Sequence, residues 1–199
     1  MTVWGRTCGR DDMRAVRRHP SIGVLVLLAA HAAASASSPH VFELPGHGAL
    51  ALLMPEGWAA KVRQPPNRLP PTIIMRPLAD AAGELIVTVV WPVGSAVRIP
   101  DEVQLHSEVG EAAKHAALQS VERILPIREI TGADGRGFYF AATDRAPKPG
   151  EYKYLKQGIL RVGAIALAFT VLTNEGEDAV VRSALEVLRT AAHRPSTAV

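Results

Sequence analysis

Apolar positions along this chain recur with two periods, one suited to strands and one to helices. Gly48 to Met54 (GALALLM) reads as a first strand, closed by the turn-like Pro55-Glu56-Gly57, which delivers Trp58. Gln64 to Pro71 (QPPNRLPP) is proline-rich and predicts an irregular or polyproline-type loop. Strands follow at Thr72–Arg76 and Leu85–Trp91, joined through Asp80-Ala81-Ala82-Gly83. The run LIVTVVW is β-branched and almost wholly apolar, which predicts burial on both faces. Pro100-Asp101 opens a helix with Asp101 as N-cap and Glu102 favourable in its first turn. Val103, Val109, Ala112, Ala113, Ala116 and Ala117 form its small-residue stripe, and it ends near Ser120–Ile124, before Pro126.

Ile127–Thr131 and Gly137–Thr143 then predict a hairpin across Gly132-Ala133-Asp134-Gly135. The polar loop Asp144 to Gly150 leads into a strand over Glu151–Leu160, and a break near Arg161–Gly163 precedes another at Ala164–Leu172. In this last strand Ile165, Leu167, Phe169 and Val171 share one face, and Ala164, Ala166, Ala168 and Thr170 the other. A strand apolar on both sides belongs at the centre of a covered sheet, and its alanine face invites close approach of a helix. Asn174 and Glu177 resemble a capping box for a final helix. Val180, Val181, Ala184, Leu185, Leu188, Ala191 and Ala192 follow at helical spacing, and Arg194-Pro195 ends it.

Strands, a helix, four strands and a helix do not alternate as βαβ units. The expected fold class is α+β: a mostly antiparallel β-sheet covered by two main helices, sandwich-like in the order α/β/α. One domain is expected over residues 48–194, after an extended leader at 37–47 in which Pro39 and Pro45 oppose regular structure. Residues 195–199 are expected to be a disordered tail.

The N-terminal segment changes how the rest is read. Arg14, Arg17 and Arg18 precede the apolar run Ile22–Ala30, and Ala34-Ser35-Ala36 follows. A basic region, a short apolar core and an A-x-A site make a secretory signal peptide, expected over residues 1–36 with cleavage after Ala36. The apolar run is about half of the roughly 20 residues a transmembrane helix needs, so no stable span is expected after cleavage. His19-Pro20 stands where a twin-arginine signal carries an apolar pair, which favours Sec-type export. Translation starts at Met1 or at Met13. The expected location is the bacterial periplasm or the medium.

Removing residues 1–36 takes five arginines and two aspartates from the 22 basic and 19 acidic side chains, leaving 17 of each. A nucleic-acid partner, which needs a basic face, loses its support. Cys8 leaves as well, and with it disulfides, thiol catalysis and cysteine-held metals.

Catalytic patterns are sparse in what remains. Gly94-Ser95-Ala96 is not a G-x-S-x-G elbow. The glycines of 132–137 have the wrong order for a phosphate loop, lack Lys-Ser/Thr and lead into no helix. His40, His47, His106, His115 and His193 are too scattered for close-spaced metal ligation. The carboxylates Asp101/Glu102, Glu108/Glu111 and Glu175/Glu177/Asp178 suit helix starts and solvated faces. No catalytic residue, cofactor or metal is therefore assigned. One basic and aromatic stretch stands out as a partner-binding candidate: Arg145, Lys148, Tyr152, Lys153, Tyr154 and Lys156. Its bland reading is a solvated edge hairpin whose lysines discourage aggregation. Trp58 and Trp91 are expected to pack at strand ends.

The layout resembles the PsbP-like α/β/α sandwich superfamily. The matching features are the strand Gly48–Met54 ending in Pro55-Glu56-Gly57-Trp58, the mid-chain helix, the Gly137-Phe-Tyr-Phe140 strand, the hairpin after Glu151, and the closing amphipathic helix after Leu172-Thr-Asn174. That group includes the extrinsic protein of photosystem II, a Ran-binding nuclear import factor and small exported bacterial proteins. The resemblance implies a non-catalytic protein that binds protein partners. The expected function is thus a non-enzymatic exported binding or accessory protein, whose partner is another envelope protein. The alternative is an enzyme or small-ligand or metal carrier with a site assembled from distant segments. A structural subunit of an envelope complex is a third reading.

Overall fold

The computed structural model describes residues 38–66, 69–79, 81–92 and 98–196. In chain order its elements are β1 (Ser38–Leu44), β2 (Gly48–Met54), β3 (Trp58–Arg63), β4 (Thr72–Pro77), β5 (Gly83–Val90), α1 (Glu102–Ala117), β6 (Arg128–Gly132), β7 (Gly135–Thr143), β8 (Tyr154–Val162), β9 (Ile165–Thr173), α2 (Asp178–Arg189) and β10 (Ala192–Arg194). Seven strands form one sheet in the order β3-β4-β5-β9-β8-β7-β6, and β1-β2-β10 form a second. All pairings between these strands are antiparallel. The α+β sandwich expected from the sequence is what forms.

Cross-strand register sorts the large sheet into two faces. Ile73, Val87, Phe169 and Gly158 lie abreast on the inner face, as do Met75, Leu85, Val171 and Lys156. Together with Leu160, Val162, Tyr139 and Ile130 they meet Leu50, Leu52 and Met54 of β2 and Ala184, Leu185, Val187 and Leu188 of α2. Gly158 opposes Tyr139, and its missing side chain leaves room for that ring against the strand. The outer face carries Phe138, Phe140, Ala142, Leu155 and Ile159, on which α1 seats Val109 and Ala113. Each fully buried aliphatic or phenyl side chain contributes about 1.5–3 kcal/mol.

β9 is the fourth of the seven strands, as its two apolar faces predict. β5 differs from expectation. Leu85, Val87 and Val89 are fully buried, but Ile86 and Thr88 are half-buried and Val90 is 43% exposed. The reason is the position of α1, which lies over β7 and β8, so that among the described residues no helix covers the outer face of β3, β4 and β5.

Helix α1 starts as the sequence predicts. Asp101 Oδ1 accepts from Gln104 N at 2.9 Å, and Gln104 Oε1 accepts from Asp101 N at 3.1 Å, a capping box. It stops at Ala117, where Ser120 Oγ donates to Ala116 O at 2.8 Å. The stripe needs correction at one end: Val103 is 78% exposed, and Leu105 is the buried residue of that turn.

Helix α2 corrects more. Asn174 and Glu177 do not form a capping box: Asn174 Oδ1 accepts from Lys153 N at 3.1 Å, and Glu177 Oε1 from Ala82 N at 3.0 Å. Both side chains tie the helix entry to neighbouring strands. The helix ends at Arg189 rather than Arg194, because residues 192–194 turn back to pair with Leu50 and its neighbours in β2.

The segment expected as an extended leader, residues 37–47, contains β1 instead. Pro39 sits in the register opposite Leu53 on an edge strand, the kind of position to which a sheet confines proline. Pro45 does interrupt regular structure, at the β1–β2 turn, where His47 N donates to Leu44 O at 2.8 Å. Strand β3 has no counterpart among the elements expected from the sequence. The hairpin β6–β7 turns in two residues, Ala133-Asp134, not four, since Gly132 and Gly135 still pair. Residues 1–36, with Met13, the A-x-A site and Cys8, lie outside the described residues, as do Gly94-Ser95-Ala96 and part of the tail at 197–199.

Candidate functional site

The predicted basic and aromatic stretch begins as a loop and ends as β8. Asp144 N donates to Lys153 O at 2.8 Å, and Asp144 also bridges to Ser120. Arg145 is turned to the end of α1, donating from its backbone to Gln119 O at 3.1 Å and from Nη2 to Ser120 O at 2.7 Å. Lys148 lies 3.8 Å from Glu151 Oε1, closing the loop tip. Both residues serve the loop's own architecture.

Tyr152 to Lys156 gather at one end of the large sheet, beside the start of α2. Tyr154, Leu155 and Lys156 line a cleft of about 290 Å³ whose other walls include Glu122, Thr143, Glu175 and Asp178. Lys153 Nζ lies 5.3 Å from the Tyr154 ring centroid and 3.6 Å from Glu175 Oε2. The Tyr154 phenol and then the Glu175 carboxylate hold the Lys153 ammonium above its ordinary pKa. Lys156 goes the other way. Burial among its neighbours and the nearby Arg128 charge lower its pKa, against an opposing pull from Asp178.

Glu122 forms the opposite wall. Its carboxylate accepts from Thr143 N at 3.0 Å and from Thr143 Oγ1 at 2.7 Å. Burial works against the ionised form, but these two donors outweigh it and the pKa falls. The cleft is therefore mixed in charge, with each cation placed near a carboxylate. It offers a preformed polar surface with Tyr154 on its wall rather than a purely cationic patch.

The histidines are placed individually. The His47 ring stacks on Trp91 with centroids 4.4 Å apart, and His193 Nε2 lies 2.8 Å from His47 O. Asp134 Oδ2 accepts from His193 N at 3.2 Å. His106 meets Phe138 edge-on at 5.0 Å, while His40 and His115 are exposed. Among the described residues, no group of three or more His, Cys, Asp or Glu is arranged to hold a metal ion. Trp91 is 7% exposed and Trp58 packs against the core, as strand-end packing requires.

Sequence reasoning misses a second basic surface. Lys61 and Arg63 share the outer face of β3 with Arg76 of β4, along a groove of about 700 Å³. The signal is there in the alternation Lys61-Val62-Arg63, but only three residues carry it, and the prolines that follow obscure it.

No protein-family model and no curated protein matches the chain. In three dimensions it is similar to the solution structure of cyanobacterial PsbP (CyanoP) from Synechocystis sp. PCC 6803, with 12% identity and a TM-score of 0.52. That similarity covers 82% of this chain and 96% of the cyanobacterial one. It is also similar to a crystal structure from Bacteroides thetaiotaomicron VPI-5482, with 12% identity, a TM-score of 0.51 and 81% of this chain covered. This chain spans half, 50%, of the length of the Bacteroides protein. The chain thus has the PsbP-like fold, a two-sided antiparallel sheet with helices on both faces.

Proposed function

We propose that this protein is exported and acts in the bacterial periplasm or outside the cell as a non-enzymatic binding or accessory module, through contact with another envelope protein. The observation that carries this reading is the surface at the start of β8. Its polar groups are tied to the scaffold through Arg145–Ser120, Glu122–Thr143 and Asn174–Lys153, so little ordering remains to be done on association. Tyr152 and Tyr154 stand half-buried in that frame, and tyrosines so placed are favoured anchors of recognition. Likeness in fold to cyanobacterial PsbP agrees with such a role. Export is supported by the signal-peptide pattern of residues 1–36.

Two measurements test this. Expression of the precursor in a bacterium, followed by fractionation and terminal mass spectrometry, is expected to find periplasmic protein starting at Ser37; cytoplasmic protein with an intact N-terminus would refute export. A photo-crosslinker at Tyr152 is expected to trap one defined envelope protein in living cells, and one at Glu111 on α1 is not. Equal yields at the two positions, or none, would refute contact through this surface.

A further inference from the structure

The two ends of the seven-stranded sheet are finished differently. At the β6 end, inner-face Ile130 is 2% exposed, and Ala133 N donates to Arg189 O at 2.7 Å, so α2 seals that edge. At the β3 end, inner-face Val62 is 47% exposed, although Ile73 beside it and Val87 beyond are fully buried. Leu69 and Leu78, near the two ends of β3, are 52% and 73% exposed. Among the described residues β3 pairs within the sheet only with β4, so alternate residues turn their backbone N–H and C=O groups outward. The inner face is thus one strand short of complete cover.

The outer face sets the charge of whatever completes it. Lys61, Arg63 and Arg76 line the groove along β3, and among the described residues no carboxylate lines it. Arg76 is paired to Glu84 across β4 and β5, with Nε donating at 2.6 Å, which leaves Lys61 and Arg63 for an incoming group.

We propose that the free edge of β3 docks an extended acidic segment of a partner protein, which adds as an eighth strand. Its residues alternate, carboxylates meeting Lys61 and Arg63 on the outer face and aliphatic side chains covering Val62 on the inner. A second copy of this chain is the poorer occupant. Antiparallel β3–β3 pairing centred on Lys61 or Val62 sets Lys61 against Lys61 or against Arg63 of the second copy, and directly opposed like charges destabilise a sheet. The proposal rests on the protein-contact reading above but concerns a different surface.

The test is titration of the isotope-labelled full chain with a nonapeptide of alternating Glu and Val, followed by amide chemical shifts and hydrogen exchange. Slowed exchange within Trp58–Arg63 is expected, together with an affinity about tenfold lower for the double variant Lys61→Glu/Arg63→Glu, or intermediate for Lys61→Gln/Arg63→Gln should charge reversal disturb folding. A Lys–Val peptide is expected to bind the charge-reversed variant and not the original chain. Equal binding of both peptides to the original chain, shifts confined to Tyr152–Lys156, self-association through β3, or no binding would each overturn the proposal. A partner trapped at Tyr152 with β3 unaffected would sink it while leaving the broader reading in place.

Discussion

His193 Nε2 lies 2.8 Å from the carbonyl oxygen of His47, across 146 residues of chain. Ala164 N donates to the other ring nitrogen, Nδ1, at 3.4 Å, which makes Nε2 the protonated donor toward His47. One imidazole thereby joins the β1–β2 turn, the β8–β9 turn and the short strand β10. His193→Ala is expected to cost about 1–2 kcal/mol, since it leaves two backbone groups without partners. Urea unfolding measures this. A midpoint unchanged from the original would show that the ring does not hold the small sheet in place.

Two neighbours on α1 separate sequence pattern from packing. Leu105 is 1% exposed and Val103 is 78% exposed. Leu105→Ala is expected to lower stability by about 2–4 kcal/mol, and Val103→Ala to stay within about 0.5 kcal/mol. Equal losses at the two sites would contradict the orientation of the helix.

Glu122 gives the acid limb a definite sign. Its folded pKa lies below the ordinary 4.5, so its contribution is fully present above that value and is lost as pH falls through the lower folded value. Stability measured between neutral pH and pH about 3 should therefore decline less steeply in Glu122→Gln than in the original chain. Thr143→Val, which removes the 2.7 Å donor, is expected to cost about 1–2 kcal/mol at neutral pH and to bring the carboxyl pKa back toward ordinary. A pH profile of Glu122→Gln parallel to the original would count against this pairing.

The lysines of β8 and its approach should differ in reactivity. Amine-directed acylation needs the neutral form, which is favoured at Lys156 by burial and Arg128 and disfavoured at Lys153 by Tyr154 and Glu175. With limiting acylating reagent at mildly alkaline pH, Lys156 is expected to be modified several-fold faster than Lys153 by peptide mass spectrometry. Arg128→Gln should narrow the gap. Faster labelling of Lys153 would reverse the assignment of environments.

Elements set by local pattern are legible in the chain itself. GALALLM matches β2 residue for residue, Asp101 caps α1 as its chemistry demands, and the two-sided apolarity of Ile165–Thr173 marks the central strand. Elements set by distant partners are not. β10 is three residues that pair because β2 has an open side, and β1 carries a proline that only an edge position tolerates. Asn174 and Glu177 have the spacing of a cap, yet Lys153 and Ala82 compete for them successfully. Local pattern groups the six residues expected to bind a partner by charge and ring type alone. It carries no information that Arg145 is turned to Ser120, or that carboxylates from the α2 entry come up against Lys153 and Lys156.

Hydrophobic period, capping chemistry and turn residues act over a few positions, so the sequence by itself determined the α+β class, the central strand and the start of α1. Which strand lies at an edge, which face of the sheet each helix covers, and which charges meet depend on contacts between residues tens of positions apart. Tertiary structure alone decided those. It sealed the β6 edge with α2, left Val62 of β3 exposed beside Lys61 and Arg63, and brought acids from another element up to Lys153 and Lys156. The reason is physical: burial and ion pairing act between surfaces in space, and the chain's order does not record which surfaces meet.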